Sequence, residues 1–291
     1  MKHKTLWAWI FLSLPLAAYT IIVFVPAVIS FSDSMTNAST LGGDSDFVGF
    51  ANYQRLFGDE AFWSSLRVTV VWTVVAVTAP VALSLLIAVM LGKLTVLGKF
   101  VKTMFFLPLA LSLVVVGQVW MWLMRPDNGL INIVLQAIGL GDLARPWLAD
   151  SGTALAAVLV AWSWQQIALG VIIFLAGLTG VSADLSEAAK LDGASHWQHF
   201  RHVTWPALNP ALIVVMSLAL INALKSFDIV YVMTSGGPFR TTETLALFSY
   251  RIAFTNYDAG YSSAAVVILF LLTTAIIGTF FWWTGRKGAQ Q

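Results

Sequence analysis

The chain has 291 residues, of which 58% are hydrophobic and only 10% are charged, and its mean hydropathy is +0.81. Soluble globular domains carry about 25% charged residues, so water cannot be the solvent for most of this surface. The net charge of +2, without any basic cluster, argues against a nucleic-acid-binding protein. The composition therefore predicts a protein that lies mostly in lipid.

The residues required for metal, redox or ATP chemistry are scarce. The chain has no cysteine, which excludes disulfides and thiolate-bound clusters. The nearest fragment to a phosphate-binding G-x-x-x-x-G-K-[ST] loop, Gly92-Lys93-Leu94, lacks the hydroxyl residue. We therefore expect no cofactor in this chain, and any ATP that drives the protein must be bound by another chain.

All four histidines, His3, His196, His199 and His202, lie outside the long apolar stretches. A haem inside a helical bundle would therefore lack a histidine ligand. The last three recur at i, i+3 and i+6, a spacing that spreads them around a helix, and no carboxylate is placed to orient them. We expect no metal site here.

Six segments are long enough to cross the membrane as helices, because about 30 Å of hydrocarbon requires about 20 apolar residues. They are Trp7–Ser30, Leu66–Leu91, Thr103–Met124, Ala154–Leu178, Ala207–Leu224 and Ser262–Trp283. The first resembles a secretory signal, but it is longer than a signal-peptide core and has no clear cleavage site, so we expect it to be retained. The sequence thus predicts a six-helix, all-α integral membrane protein.

Lysine and arginine predict the orientation, because they concentrate in cytoplasmic loops. The basic residues fall in three sets on one side of an alternating six-helix arrangement: Lys2 and Lys4, then Lys93, Lys99 and Lys102, then Arg286 and Lys287. The opposite loops contain Asp33, Asp44, Asp46, Asp59, Glu60, Asp127, Asp142 and Asp150. Both termini and the connection Gly180–Pro206 are therefore predicted to be cytoplasmic.

The connection at 180–206 has the pattern of two short helices joined by a tight turn. Glu187 lies near the start of the first helix, where negative charge suits the helix dipole. Gly193 supplies a left-handed residue that ends this helix. Ser195 and Gln198 form a capping box for the second helix, and Pro206 is expected to stop it near the fifth span.

An apolar stripe runs along the second of these helices, formed by Trp197, Phe200 and Val203 at i, i+3 and i+6. Exposed apolar groups of this size need a covering surface. That surface is either the ends of the protein's own spans or a partner protein.

Several residues of this connection resemble the E-A-A…D-G-A…F…P…P coupling loop of binding-protein-dependent ABC importer permeases: Glu187-Ala188-Ala189, Asp192-Gly193-Ala194, Phe200, Pro206 and Pro210. The position between the fourth and fifth of six spans also matches. The resemblance implies the type I ABC importer permease fold in the bacterial inner membrane. It also implies contact with the ATP-binding subunits, which hold ATP and Mg²⁺, through Glu187, Ala188, Ala189, Asp192, Gly193, Ala194, Phe200 and Pro206.

Two further segments resemble the carbohydrate branch of that family, which includes maltose-type and glycerol-phosphate-type permeases. They are Phe50–Tyr53 and Phe227–Leu245. The second contains Gly236, Gly237 and Pro238, a turn that no span can contain and that is therefore expected at the outer surface. The resemblance implies that a soluble solute-binding protein contacts this turn.

The same resemblance implies a sugar or sugar-like solute, two ATP-binding subunits and a second permease chain, which in this branch is usually a different chain. We predict two parts. Residues 1–65 form the first helix and an outward loop, and residues 66–291 form a five-helix core that carries the coupling loop at 180–206.

Polar and small residues within the spans, together with one tryptophan, are candidates for the solute path. They are Gln118 on the third span, Trp162, Ser163, Gln166 and Gly170 on the fourth, and Ala219, Asn222, Ala223 and Ser226 on the fifth. A sugar site needs amide and hydroxyl hydrogen bonds together with aromatic faces, which Trp162 or Trp164 can supply. The sequence is equally consistent with amides that bond to neighbouring helices.

Two other function classes are less consistent with the sequence. An ATP-independent channel or secondary transporter for a small polar solute would need ionisable residues buried mid-span, and the sequence has essentially none. A membrane enzyme would need intramembrane His, Cys or paired carboxylates. The favoured hypothesis is a permease that performs no chemistry of its own, for a solute that is either neutral or anionic.

Overall fold

The computed structural model describes residues 2–92 and 104–288. Within these residues no strand forms, and the only sheet-like pairings are two isolated bridges, Thr36 with Phe47 and Ser39 with Asp258. The predicted all-α class is confirmed. The predicted cytoplasmic residues Lys93, Lys99 and Lys102 lie outside the described residues.

The helices are numbered in chain order. They are α1 (Lys2–Tyr19), α2 (Val25–Asp33), α3 (Ala51–Gly58), α4 (Glu60–Gly92), α5 (Leu113–Leu123), α6 (Leu130–Ala137), α7 (Ala154–Thr179), α8 (Ala183–Leu191), α9 (His196–His199), α10 (Trp205–Ala207), α11 (Asn209–Leu224), α12 (Asp228–Thr234), α13 (Leu245–Phe254) and α14 (Ala259–Gly288). Short 3-10 turns form at Pro108–Ala110 and Gly141–Leu143, and π turns form at Thr20–Phe24 and Phe200–Thr204.

Four stretches are long and apolar enough to cross a membrane, namely Phe11–Asp33, α4, α7 and Ala259–Arg286. Two bent pairs raise the number to six. Met104–Ala110 with α5 is bent by 112°, and His196–Ala207 with α11 is bent by 66°. The third predicted span is thus broken inside its predicted bounds, whereas the bend at the fifth lies at its start, before α11. The count of six and the side of the termini stay predictions.

Each π turn is followed directly by an X-Pro pair. The N–H of Val25 bonds to the carbonyl of Thr20 ahead of Pro26, and the N–H of Trp205 bonds to the carbonyl of Phe200 ahead of Pro206. Proline lacks an N–H and clashes with the carbonyl four residues earlier in a regular α-helix, and a wider π turn relieves that clash. The helical path continues through Pro206 to Ala207 and ends there, with a bend of 66° before α11, so the helix stops one residue after the proline that was predicted to end it.

The chain divides into two compact units, Met1–Trp63 with Phe248–Leu272, and Ser64–Leu247 with Thr273–Gln291. In the first unit the buried Asn52 side chain donates to the carbonyls of Ser34 and Thr36, at 2.9 and 2.8 Å. The Phe50–Tyr53 segment therefore ties the loop after α2 to α3. The predicted boundary at residue 65 stays a prediction.

The second unit is held by close helix crossings at small residues, as is usual in membrane bundles. A Cβ added to Gly170 of α7 would lie 2.7 Å from the Ser84 Cβ of α4. A Cβ added to Gly177 would lie 2.8 Å from the Ala211 Cβ of α11. Around these contacts pack the buried side chains of Val81, Ala88, Phe174, Leu208, Val215 and Ala219.

Candidate functional site

The turn of the predicted coupling loop is a complete helix C-cap. Gly193 adopts φ +74°, and its N–H bonds to the Lys190 carbonyl at 3.1 Å. The Ala194 N–H bonds to the Ala189 carbonyl at 2.9 Å. This pair of bonds is the Schellman motif, in which glycine takes the left-handed position at no steric cost. The predicted end of α8 at Gly193 is confirmed.

The start of the second loop helix is closed by a reciprocal cap. The Gln198 N–H donates to the Ser195 Oγ at 3.3 Å, and the Ser195 N–H donates to the Gln198 Oε1 at 2.8 Å. This is the predicted capping box. The two caps fix the entry and exit of the connection, so residues 182–207, called here the hairpin, form a defined structure.

The hairpin presents an apolar and acidic face to its surroundings. Leu191 is 89% exposed and Trp197 is 65% exposed, although the Trp197 ring stacks on Phe200 at 5.8 Å. Glu187 is exposed and makes no ion pair with another described residue. The described span ends therefore leave most of the Trp197 side chain uncovered.

The other predicted coupling residues lie on the same hairpin with different exposure. Ala188, Asp192, Gly193 and Pro206 are exposed, whereas Ala189, Ala194 and Phe200 are partly buried. Because the turn is built from backbone bonds, the exposed Asp192-Gly193 corner keeps its shape without any partner.

Two candidate path residues meet directly. The Asn222 Nδ2 donates to the Gln166 Oε1 at 3.1 Å, which joins α11 to α7. Both side chains are partly buried, as is Ser163 one turn before Gln166. The helix-to-helix bond that the sequence allowed is thus observed, and the place of these amides on the solute path stays a prediction.

Other candidate path residues are packed inside the chain. Trp162 has no exposed surface and meets Trp72 edge to face at 5.7 Å, so its ring faces are covered. Trp164 is partly buried and meets Trp120 at 6.2 Å. Buried among other helices are Gly170, Ala219, Ala223 and Ser226.

Gln118 has a different environment, since its residue is exposed on α5. It lines a cavity of about 300 Å³ together with Trp122, Arg125 and Pro146. An amide, an indole and a guanidinium therefore border one space, and groups of these types bind sugars.

Gln165 is a structural position that the sequence interpretation missed. Its Nε2 donates to the carbonyls of Pro108 and Leu111 at 3.0 and 2.8 Å. Those carbonyls lie at the break of the third predicted span, where the Pro108 carbonyl also accepts the Leu111 N–H at 3.3 Å and the Leu111 carbonyl accepts from Gln165. The Pro108 signal was present in the sequence, but only the fold places Gln165 opposite it.

The turn at Gly236, Gly237 and Pro238 is held by Thr242. Gly236 has φ +89°, and the Thr242 Oγ1 donates to the Gly237 carbonyl at 2.8 Å. Phe239, directly after the turn, is 93% exposed. The predicted turn is confirmed, and it presents an unpartnered aromatic ring.

Among residues 2–92 and 104–288, no group of three His, Cys, Asp or Glu side chains is close enough to hold a metal ion. The hairpin histidines have other contacts. The His202 Nδ1 lies 3.0 Å from the Gln198 carbonyl, and the His199 Nδ1 lies 3.4 Å from the Thr204 Oγ1.

Comparisons with known proteins agree on one family. Residues 80–283 match the family model of the binding-protein-dependent transport system inner membrane component. A probable ABC transporter permease of Bacillus subtilis is 32% identical over 252 residues, which cover 86% of each chain. The sn-glycerol-3-phosphate transport system permease of Agrobacterium fabrum is 32% identical over 248 residues, 84% of this chain and 83% of that one.

A probable starch degradation products transport system permease of Thermoanaerobacterium thermosulfurigenes is 29% identical over 259 residues, 89% of this chain and 87% of that one. Among solved structures, a chain of a bacterial ABC transporter involved in the import of the acidic polysaccharide alginate superposes with a TM-score of 0.85. It is 20% identical, and the match covers 97% of this chain and 96% of that chain. At this identity the similarity concerns the fold.

Proposed function

The chain belongs to the family of binding-protein-dependent transport system inner membrane components, and from that membership we propose that it forms part of the path for a sugar or sugar derivative. It is a multi-pass inner-membrane protein and the translocation subunit of an ABC importer. The observation that supports coupling to ATP-binding subunits is the capped hairpin, on which Leu191, Trp197 and Glu187 are exposed.

The hairpin is the coupling element in this proposal. Its two caps hold α8 and α9 rigidly enough to transmit a push, and its exposed apolar face fits a cleft on an ATP-binding subunit. Glu187 would meet a basic group in that cleft. Ala188, Ala189, Asp192, Gly193, Ala194, Phe200 and Pro206 would complete or support this contact.

In this proposal the separate ATPase subunits bind and hydrolyse ATP. The sequence contains no phosphate-binding loop, so ATP and Mg²⁺ would bind on two ATPase subunits. The present chain then contributes no catalytic group. It alternates the access of the path as those subunits close and open.

The solute class is proposed from the relatives together with the polar groups of the spans. Of the three relatives reported, one is a permease of an sn-glycerol-3-phosphate transport system and one is a probable permease for starch degradation products. Ser163, Gln166 and Asn222 offer hydroxyl and amide groups of the kind that bind polyols. Gln118 lies in the middle of α5 and offers a further polar contact in the cavity that Trp122 and Arg125 also line.

Two further partners complete the proposal. A second permease chain would provide the other wall of the path. A soluble binding protein would dock over the turn at Gly236, Gly237 and Pro238, where the exposed Phe239 provides an apolar anchor.

The test is uptake into proteoliposomes that contain the full complex, with labelled glycerol phosphate and labelled maltooligosaccharides as solutes. The proposal expects uptake of one of these two solute classes. That uptake should require both the binding protein outside the vesicles and ATP inside them. Uptake without ATP would instead support a channel or a secondary transporter.

A further inference from the structure

A cavity of about 610 Å³ lies between the inner side of the hairpin and the ends of two membrane-spanning helices. Its lining includes Ala194 and Phe200 of the predicted coupling residues, whereas the exposed Glu187, Leu191 and Trp197 do not line it. Val89 of α4 and Leu178 of α7 line one side, and Lys190, His196 and His199 line the other. Phe200 and Thr204 lie at its border.

The charge of this cavity has one sign. Among the described residues that line it, Lys190 is cationic, two are histidines, and none is acidic. The hairpin carboxylates Asp184, Glu187 and Asp192 are exposed and do not line it. A cavity with this lining attracts an anion.

One ring nitrogen of His199 lacks a partner. Its Nε2 is shielded from solvent and makes no hydrogen bond to a described residue, while its Nδ1 lies 3.4 Å from the Thr204 Oγ1. Donation from the Thr204 hydroxyl to Nδ1 leaves the proton on Nε2, which is then a shielded donor that an anionic oxygen reaches only if the His199 ring turns toward the cavity that it lines. A buried nitrogen without a partner costs free energy that such an oxygen would offset.

The apolar and the basic side of the cavity lie at the depths in the membrane where a phospholipid has its acyl chains and its phosphate. Val89 and Leu178 belong to the last turns of helices that cross the bilayer, so the apolar side lies at the edge of the hydrocarbon. The basic side belongs to the hairpin beyond that edge. An acyl chain would contact the first side and a phosphate would contact the second, and basic pockets of this kind bind anionic headgroups.

We propose that this cavity binds the phosphate of an anionic inner-leaflet phospholipid, with Lys190 as counter-charge and His199 as hydrogen-bond donor. The lipid would brace the inner side of the hairpin while the exposed face remains available to the ATPase. Binding requires only the permease chain, so its test is independent of whether the hairpin couples hydrolysis to uptake.

The experiment measures phospholipid binding to the purified full chain by native mass spectrometry, with phosphatidylglycerol as the probe. Lys190→Gln and His199→Phe should each weaken binding by about tenfold or more, the loss of one charge-assisted hydrogen bond. Arg201→Gln and His202→Phe are matched controls, because both residues are on the hairpin, are exposed and do not line the cavity. Lys190→Arg should retain binding, which separates charge from folding.

Two results would overturn the proposal. Equal phosphatidylglycerol binding by Lys190→Gln and Arg201→Gln would remove the cavity as the site. Displacement of the lipid by millimolar inorganic phosphate, with phosphate binding lost in the same variants, would assign the site to a soluble anion instead. Phosphate without effect on bound lipid supports the proposal.

Discussion

The Asn222 Nδ2 donates a hydrogen bond to the Gln166 Oε1 at 3.1 Å, and this bond joins α11 to α7. Each amide keeps a second group, the Asn222 Oδ1 and the Gln166 Nε2, with no hydrogen bond to another described residue. The pair is therefore a contact between helices that leaves one acceptor and one donor, which on the proposed solute path would be available to a solute hydroxyl.

We predict that Asn222→Leu lowers solute affinity several-fold and lowers the free energy of unfolding by about 0.5–1.5 kcal/mol, since one hydrogen bond is lost in each case. Uptake kinetics and detergent unfolding measure the two effects. Ser217→Ala is the control on the same helix, because the Ser217 hydroxyl bonds only to the Ile213 carbonyl. Reduced stability with unchanged uptake would leave the pair as a helix contact alone.

The crossing of α4 and α7 at Gly170 should tolerate no side chain. Gly170→Ala places a Cβ 2.7 Å from the Ser84 Cβ, and overpacking of this kind costs about 1–3 kcal/mol. Gly278→Ala is the matched control, since nothing lies within 4 Å of its added Cβ. Thermal unfolding in detergent should separate the two variants, and Ser84→Gly should partly rescue Gly170→Ala. Equal midpoints for the two alanine variants would contradict the packing described here.

The break in the third predicted span should depend on Gln165. Gln165→Leu removes both bonds. The Pro108 carbonyl keeps the Leu111 N–H, whereas the Leu111 carbonyl loses the Gln165 donor, and an unsatisfied carbonyl costs about 1–3 kcal/mol. We expect a lower unfolding midpoint than for Gln118→Leu, in which an exposed amide is removed from α5. A smaller effect for Gln165→Leu than for Gln118→Leu would show that the break is held otherwise.

Local rules predicted the hairpin well, because its caps depend on residues within six positions of each other. Gly193 for the left-handed corner, and Ser195 with Gln198 for the capping box, are such cases. The role of Gln165 could not be predicted, since its two acceptors are 57 and 54 residues away in sequence. The stop near Pro206 was predicted to within one residue, and the π turn before the proline explains why Pro206 lies inside the last helical turn.

Composition located the apolar spans but not their breaks or their buried faces. Trp162 carries the same aromatic signal whether it faces a solute or another helix, and only tertiary packing against Trp72 decides between them. Hydropathy likewise cannot distinguish a straight span from the pair bent by 112° at the third span.

Orientation is tested with single cysteines, and the absence of native cysteine makes each one the sole thiol. Cysteines at Asp44, Asp142 and Pro238 should react with an impermeant maleimide from outside intact cells. Cysteines at Lys190 and Arg286 should react only after lysis, because the positive residues hold their ends in the cytoplasm. Labelling of position 190 from outside would reject the six-span orientation.

Gly193 tests whether the shape of the hairpin matters to transport. At φ +74°, Gly193→Val costs about 1–2 kcal/mol or more in backbone strain, while Gly193→Asn is tolerated far better. Because no atom lies within 4 Å of an added Cβ, the loss would be conformational and not a clash. ATP-driven uptake should fall in the valine variant and remain near wild type in the asparagine variant. Equal uptake in both would mean that the corner is dispensable.

The most direct test of the coupling role is Glu187→Lys in the reconstituted complex, with co-purification of the ATPase, ATP hydrolysis and solute uptake measured together. Glu187 is exposed and makes no ion pair with any described residue, and reversal of its charge against a basic cleft should cost about 3–5 kcal/mol. We predict that the variant loses the ATPase subunits, or hydrolyses ATP without uptake, while Glu60→Lys at the start of α4 behaves as wild type. Wild-type association and uptake in Glu187→Lys would contradict the assignment of the hairpin as the coupling element.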